Sequence, residues 1–319
     1  MRRRSIVSAV TPAKRALALA STSAAVAALA CGALGGCSSS SAGAAGDGGT
    51  AFSGDSGGGG SSDGGADSGG AVTAGLVGFS SGGSGPLSGA YTIVGVFDRG
   101  SGTPGTGAQM ICETPVGSCT YCSGHVDGGT SGGTLMITLL SAGVLTVKDG
   151  TTTLGTLDYQ ADDAGMGDYE IDSNSDPTLT WAAGDTLSAS ATGGEIPAFS
   201  ASITAPQDIA GLMPALSLTS TTTVSTSAPF VLSWTPSSDT GAQMELVLGG
   251  VSGGATASCT AADSAGSITV PVAILQKFGM GGGSMGLTKT VSKPVAVTGA
   301  SIKIQATAPA VDGSVTFGP

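Results

Sequence analysis

The sequence predicts an all-β protein in which two tandem antiparallel β-sandwiches follow a signal peptide and a disordered Gly/Ser-rich tether. Three observations lead to this prediction. From about residue 86 onward, short runs of alternating apolar and polar residues are separated by Gly, Asp, Ser and Pro. The 319 residues include 56 Gly, and each Gly inside a helix costs about 1 kcal/mol relative to Ala. A long stretch of Gly, Ser, Ala and Asp precedes the alternating runs.

The first 36 residues have the parts of a secretory signal peptide. Five basic residues lie within the first fifteen, and an apolar stretch of mostly Ala, Leu and Val follows. The segment ends in Leu34-Gly35-Gly36-Cys37, an aliphatic residue and two small ones before a cysteine. This ending resembles the lipobox of bacterial lipoproteins. The resemblance implies that cleavage precedes Cys37 and that its thiol carries the lipid. Ser38, rather than Asp, implies the outer membrane, facing periplasm or cell surface.

Other interpretations of the amino terminus stay open. Cys37 is a bystander if the signal peptide is an ordinary one. Cys31 is a rival lipid acceptor, although Ala28-Leu29-Ala30 places Ala where the lipobox has an aliphatic residue. An uncleaved membrane anchor is the third alternative, but Ala and Gly insert weakly compared with Leu or Ile.

The charge balance excludes one large class of partner. The full chain has a net charge of −11, and the signal peptide removes basic residues only. Nucleic-acid binding depends on Lys and Arg that neutralise phosphates, so no nucleic-acid partner is expected. Anionic headgroups also repel such a chain, so its membrane partner is reached through the amino-terminal lipid.

Residues 37–85 are predicted to be a disordered linker. The stretch buries too little apolar surface to offset the entropy of ordering, and its reach averages about 35–40 Å. Within it, Gly54-Asp55-Ser56-Gly57-Gly58 matches the nucleophile motif of trypsin-like proteases. That chemistry needs a His base ahead of the serine, but His125, the single His, follows it. The match to the protease motif is therefore attributed to chance in a stretch rich in Gly and Ser.

The alternating runs define the predicted strands, and the one helical segment expected is Val272–Phe278. The clearest runs are Tyr91–Phe97, Leu135–Leu140, Val144–Val147, Leu187–Ala191, Ala198–Thr204, Phe230–Trp234, Met244–Leu248, Ile268–Ile274 and Ser301–Gln305. Their length and spacing predict one module over residues 86–205 and a second over 206–319, with the boundary at Ala205-Pro206. These features resemble uncharacterised Gram-negative lipoproteins with immunoglobulin-like modules, a resemblance that implies no activity.

Four cysteines follow Cys37, namely Cys112, Cys119, Cys122 and Cys259. Export to an oxidising compartment and the even number predict two disulfides. At least one of the first three must pair with Cys259 or stay free. The alternative is a zinc site made of Cys112, Cys119, Cys122 and His125, because Cys-x2-Cys is half of many structural zinc sites.

Acidic residues gather between Asp158 and Asp176. Asp172, Asn174 and Asp176 copy the opening of an EF-hand loop, so they are a weak calcium candidate. The copy then departs from the pattern, with Pro177 in the place of Gly and Ala183 in the place of the last Glu. A solvated loop whose Asp side chains form local turns is the simpler interpretation.

These features predict a membrane-anchored lipoprotein that acts as a non-enzymatic binding, adhesion or structural module. No catalytic residue and no cofactor is assigned, and the ligand class is protein or carbohydrate. A metal-dependent binding module is the first alternative. A carbohydrate-active enzyme is the second, since glycosidase carboxylates come from distant strands and leave little local trace.

Overall fold

A computed structural model describes residues 72–82, 90–101, 110–124, 136–161, 167–250 and 255–319. Cys31, Cys37 and His125 lie outside the described residues, as does most of the predicted linker. The lipid attachment at Cys37 therefore stays a prediction.

The described residues form twenty strands. The first eleven are β1 (Val72–Ser81), β2 (Tyr91–Ser101), β3 (Met110–Cys112), β4 (Cys119–Gly124), β5 (Met136–Leu139), β6 (Leu145–Asp149), β7 (Thr152–Leu157), β8 (Gln160–Ala161), β9 (Gly167–Asp172), β10 (Thr186–Ala191) and β11 (Phe199–Thr204). The other nine are β12 (Ala210–Met213), β13 (Thr221–Ser225), β14 (Phe230–Thr235), β15 (Gln243–Gly250), β16 (Thr256–Ala262), β17 (Ser267–Val270), β18 (Gly281–Val297), β19 (Ala300–Thr307) and β20 (Val311–Gly318).

Helical structure in the described residues is confined to single turns. The α-helix α1 spans Val272–Leu275, and 3₁₀ turns span Asp263–Ala265 and Gln276–Phe278. The helical segment expected at Val272–Phe278 is therefore present, and the all-β prediction is confirmed.

The first sandwich packs a four-stranded sheet against part of a larger one. The four-stranded sheet has the order β11-β10-β6-β7, and the larger sheet contributes β19, β1, β2 and β9. Alternation places one face of every strand inward. Phe79, Phe97 and Tyr169 meet Leu145 and Leu187 in the core between the sheets.

The second sandwich uses the other part of the same large sheet. Here β13, β20, β18, β15, β16, β4 and β3 lie side by side, and the three-stranded sheet β12-β14-β17 accompanies them. Trp234, Leu246, Ile268 and Phe317 belong to its core. The prediction of two β-sandwiches is thus confirmed, and two strand pairs, β1–β19 and β13–β20, are parallel.

The two sandwiches exchange strands. The long strand β18 pairs with β15 and β20 through Gly281–Thr290 and with β19 from Thr290 onward. The strand β19 then joins the first sandwich beside β1, and β4 joins the second beside β16. Each sandwich therefore contains a strand from the other side of the predicted boundary at residues 205–206. The division into two folding units stays a prediction.

The predicted linker is corrected at its carboxyl-terminal end. Residues 37–85 were expected to be disordered, but Val72–Ser81 forms β1, which lies between β2 and β19. Val77 and Phe79 are buried on its inward face. The alternation of apolar residues in β1 is difficult to recognise among the surrounding Gly and Ser. Burial of these residues depends on β2 and β19, which come from opposite halves of the chain.

Candidate binding site

A cleft of about 340 Å³ lies where the chain crosses between the two sandwiches. We call it the junction cleft. It is formed by the ends of β1, β2 and β19, by the loop before β10 and by the segment that follows β11. Its lining includes Ser81, Tyr91, Trp181, Pro206, Asp208 and Pro309. Ligand sites favour such junctions and volumes.

The aromatic wall of the junction cleft is a perpendicular pair. The ring centroids of Tyr91 and Trp181 lie 4.6 Å apart at 71°. The Trp181 ring also meets Phe79 edge-on, with 5.9 Å between centroids. Trp181 is 8% exposed, so its inner part is fixed in the core while its remaining surface lines the cleft. Such anchoring gives an apolar wall of defined position.

The polar wall of the junction cleft comes from the crossing segments. Asp208, an acidic residue, lines it from one side. The Ser81 hydroxyl lines it as well and donates a hydrogen bond to the Thr307 carbonyl over 3.3 Å. Below the surface, the Asp208 carbonyl accepts a hydrogen bond from Lys289 Nζ at 3.5 Å. The segment bearing Asp208 is thereby tied to β18.

The acidic turn after β9 holds Tyr91 in place. The Tyr91 backbone N–H donates to the Ser173 hydroxyl at 2.9 Å, and the Ser173 N–H donates to the Tyr91 carbonyl at 2.8 Å. Asp172 closes the turn, since its Oδ1 accepts the Ser175 N–H at 2.7 Å. Partial burial acts to raise the pKa of Asp172, but hydrogen bonds from Ser175 and Asn174 outweigh it and hold the pKa below its usual value.

The calcium candidate of the sequence is thus a turn. Asp172 accepts hydrogen bonds from its own loop, and Asp176 Oδ1 accepts the Thr178 hydroxyl at 2.7 Å and the Thr178 N–H at 2.9 Å. These bonds hold the pKa of Asp176 below its usual value. In the described part of the chain, no three His, Cys, Asp or Glu residues are grouped as a metal site requires. Asp172, Asn174 and Asp176 thus form local turns, and calcium binding by them stays a prediction.

Four side chains beneath the junction cleft form what we call the junction polar cluster: Lys289 and Asp263, which are buried, and Asp239 and Ser237, which are partly buried. Lys289 Nζ lies 3.2 Å from Asp239 Oδ2, and the two side chains are 1% and 9% exposed. Asp239 Oδ2 also accepts the Gln207 N–H at 2.8 Å. Burial acts to raise the pKa of Asp239, but hydrogen bonds from Ser237 and Gln207 and the Lys289 ammonium outweigh it and leave the pKa lowered.

Asp263 is the deepest carboxylate of the junction polar cluster, at 2% exposed. Its Oδ2 lies 2.6 Å from the Ser237 hydroxyl, which lies 2.8 Å from Asp239 Oδ2. A hydroxyl has one hydrogen, so Ser237 donates to one of the two carboxylates at a time. Asp263 Oδ1 is buried without a hydrogen-bond partner among the described residues.

The four cysteines of the described region form the two predicted disulfides. Cys112 pairs with Cys122, and Cys119 pairs with Cys259. Both join residues that lie directly opposite each other on adjacent strands. The zinc alternative for Cys112, Cys119, Cys122 and His125 is wrong, because no cysteine of that set is free to act as a thiolate ligand.

The disulfides also indicate where the protein is found. They form and persist in oxidising compartments such as the bacterial periplasm or cell surface, so the chain is an exported protein. Within the ranges that the structure describes, no helix has the length and apolar character needed to span a bilayer.

A second depression, of about 490 Å³, lies on the outer face of the second sandwich. Val247, Gly286 and Asp312 occupy neighbouring positions on β15, β18 and β20 there. Burial raises the pKa of Asp312. Its lining has no aromatic side chain. The junction cleft combines an aromatic wall with a carboxylate and is the stronger candidate.

Sequence reasoning did not find the residues of the junction cleft or of the junction polar cluster. Trp181 stands in a loop, and Lys289 is an ordinary lysine in a Thr-rich strand. A lysine at an inward position of an alternating strand was the one available signal. Leu287 and Met285, two and four residues earlier, are buried on the same face.

No protein-family model and no curated protein sequence matches this chain. Among solved structures, the chain is similar to one in the crystal structure of Dpr2 Ig1-Ig2 in complex with DIP-Theta Ig1-Ig3. The identity is 9%, over 76% of this chain and 94% of that chain, with a TM-score of 0.18. The residues of this chain, and not that likeness, carry the function proposed below.

Proposed function

We propose that the protein is a lipid-anchored cell-envelope protein whose folded part binds carbohydrate in the junction cleft without transforming it. The observation that carries the proposal is the presence of Tyr91, Trp181 and the acidic residue Asp208 around one cleft. A sugar ring presents an apolar C–H face and a rim of hydroxyls. Aromatic walls suit the face, and carboxylate and backbone groups suit the rim.

The size of the junction cleft sets the expected length of the ligand. About 340 Å³ is at the small end of ligand sites, so one or two sugar rings fit, as at the end of a longer polysaccharide. Asp208 is the carboxylate that lines the cleft, and glycoside hydrolysis normally uses two. This geometry supports retention of a glycan and not its cleavage.

Binding is tested by tryptophan fluorescence. The protein has two Trp, and Trp234 is buried in the second core with its Nε1–H donating to the Asp263 carbonyl at 2.9 Å. In a Trp234→Phe variant, Trp181 becomes the sole reporter in the cleft. Titration with envelope and plant oligosaccharides is expected to change its emission saturably.

Matched variants connect that signal to the junction cleft. Tyr91→Ala and Asp208→Asn are expected to weaken binding at least about tenfold, the effect of losing one buried contact of about 1.4 kcal/mol. Asp158→Asn, an exposed carboxylate of the first sandwich, is the control and should bind as the parent does. If all three variants bound the oligosaccharide with the same affinity, the junction cleft would not be the binding site.

The anchor is tested separately. Cells fed an alkyne-tagged fatty acid are expected to label the full chain, and Cys37→Ser is expected to abolish labelling and release the protein from the membrane fraction. Cys31→Ser is the matched control and should leave labelling intact. Labelling lost with Cys31→Ser and kept with Cys37→Ser would reassign the lipid acceptor.

A further inference from the structure

The contact between Lys289 and Asp239 differs from the other charged groups of the described residues, most of which are exposed or only partly buried. In the described residues, Lys289 and Asp263 are the buried charged side chains, at 1% and 2% exposed. The Asp239 side chain, at 9% exposed, stands between them. The junction polar cluster thus holds one ammonium and two carboxylates away from water, which is costly for each ion.

We propose that Lys289 and Asp239 become joined by a side-chain amide bond. Lys289 Nζ lies 3.2 Å from Asp239 Oδ2, the oxygen bonded to the carbon that the nitrogen would attack. The ammonium and the carboxylate together contain all the atoms of one amide and one water. The reaction therefore needs no other reactant, oxidant or reductant, and it converts two buried charges into a neutral link.

The proton movements follow the contacts of the junction polar cluster. A proton passes from Nζ to Asp239 Oδ2, which leaves a neutral amine and a neutral acid. The nitrogen lone pair then forms the C–N bond at Cγ. The C–O bond to Oδ2 breaks as that oxygen takes a second proton, released by the nitrogen, and departs as water. Each bond that forms or breaks thereby lies within the Lys289–Asp239 pair.

Ser237 and Asp263 are positioned to assist the departure of that water. The Ser237 hydroxyl is within 2.8 Å of the leaving oxygen Oδ2 and within 2.6 Å of Asp263 Oδ2. It can therefore donate a hydrogen bond to the leaving oxygen while the C–O bond breaks, and Asp263 holds that hydroxyl in place. Asp263 acts through Ser237 and is a positioning residue, not a reacting one.

Folding supplies the conditions that this bond requires. Amine and acid condense poorly in water, whereas well-oriented groups held together reach effective concentrations of about 10⁵–10⁸ M. The surrounding contacts fix the Asp239 carboxylate, because the Gln207 N–H donates to the same oxygen at 2.8 Å. Burial favours the uncharged product over the ion pair.

The product would be a second kind of covalent cross-link in the molecule, in addition to the two disulfides. It would tie β18, the strand shared by both sandwiches, to the turn after β14 that carries Ser237 and Asp239. Unlike Cys112–Cys122 and Cys119–Cys259, this link would survive a reducing agent. The segment that bears Asp208 would keep its place beside the junction cleft, since Lys289 Nζ lies within 3.5 Å of the Asp208 carbonyl.

Peptide mapping of the purified mature protein tests the bond. After reduction, digestion with trypsin and a second protease is expected to leave the chain uncut at Lys289. One linked species should contain Lys289 and Asp239 and weigh one water less than the two peptides together. Lys277 and Lys303, which are exposed and half-buried, should be cut normally. Normal cleavage at Lys289 with both peptides at full mass would overturn the proposal without any variant.

Variants assign the roles. Lys289→Met keeps the length and apolar stem and should abolish the linked species, whereas Lys293→Met on the same strand should keep it. For Asp263→Asn, the linked species should form at least about 100-fold more slowly during refolding, and Asp263→Glu should restore the rate. An unchanged rate in Asp263→Asn would contradict the positioning role of Asp263, and a linked species in Lys289→Met would contradict the bond.

Discussion

Ile304 lies directly opposite Val77 in the parallel pair of β19 and β1, and both side chains are fully buried. One belongs to the end of the chain and the other to a segment beside the Gly/Ser-rich stretch. Together with Ile302 and Ala306, Ile304 completes the core of the first sandwich. The first sandwich therefore depends on a strand that is distant in sequence from its other strands.

Ile304→Ala tests that dependence. The substitution removes buried methyl and methylene groups and should lower the free energy of unfolding by about 2–5 kcal/mol. Trp181 reports on the first core and Trp234 on the second, so single-tryptophan variants can follow each during denaturation. Both are expected to unfold at the same lowered denaturant concentration, because β18 belongs to both sandwiches.

Lys303→Ala is the matched control. Lys303 is the neighbour of Ile304 on β19 and is partly exposed, so its loss should change stability by about 0.5 kcal/mol or less. A destabilised Trp181 signal with an unchanged Trp234 signal in Ile304→Ala would show that the sandwiches unfold separately.

Two glycines of β1 offer a second matched pair. A Cβ on Gly75 would collide with the Phe97 ring, whereas a Cβ on Gly78 would lie 3.4 Å from the nearest atom, Val94 Cγ2. Gly75→Ala is therefore expected to cost about 1–3 kcal/mol by overpacking. Gly78→Ala should be neutral or stabilising, and thermal melts compare the two. Equal melting temperatures of Gly75→Ala and Gly78→Ala would mean that the Phe97 ring moves to accommodate the added methyl group at little cost.

The two disulfides are expected to differ in reduction and in stabilisation. Cys112 is exposed, whereas Cys119 and Cys259 are fully buried. A mild thiol reductant should open Cys112–Cys122 first, as timed alkylation with mass analysis would show. Replacing Cys119 and Cys259 by Ala should cost about 2–5 kcal/mol, since they close a long loop. Simultaneous reduction of both disulfides under native conditions would contradict this order.

The turn at Asp172 should make the first sandwich sensitive to acid. The pKa of Asp172 is lower in the folded protein than in the unfolded chain, where it is about 4. The ionised carboxylate therefore stabilises the fold fully at pH values above about 4. This stabilisation is lost as the pH falls through the folded pKa. Asp172→Asn should be less stable than the parent at neutral pH, and the gap should close in acid. A gap that stays constant down to the lowest pH would show that the charge contributes nothing.

The regular strands could be predicted from the sequence because their alternation is local. Phe230–Thr235 and Ala300–Thr307 show it plainly. β1 could not be recognised, since its burial depends on β19, a strand from the far end of the chain. The number of disulfides followed from compartment and counting, but their pairing required the register of β4 against β3 and β16.

The candidate sites depend on distant residues and left little trace in the sequence. Asp239, Asp263 and Lys289 come from three separate segments, and no local motif connects them. Tyr91 and Trp181 meet only after β2 and the loop before β10 are brought together. The acidic loop allowed two interpretations, because a turn and the first part of a calcium loop share the same Asp and Asn spacing.

The position of β1 determines how the molecule responds to mechanical load. A pull that arrives from the amino-terminal side enters at Val72 and runs along a strand paired on both edges, with β2 and with β19. If a ligand in the junction cleft supplies the opposing force, the hydrogen bonds of both pairs are sheared together instead of being unzipped one at a time. If the chain is tethered at that end, the pairing of β1 on both edges should make the fold resist mechanical unfolding while a ligand is bound.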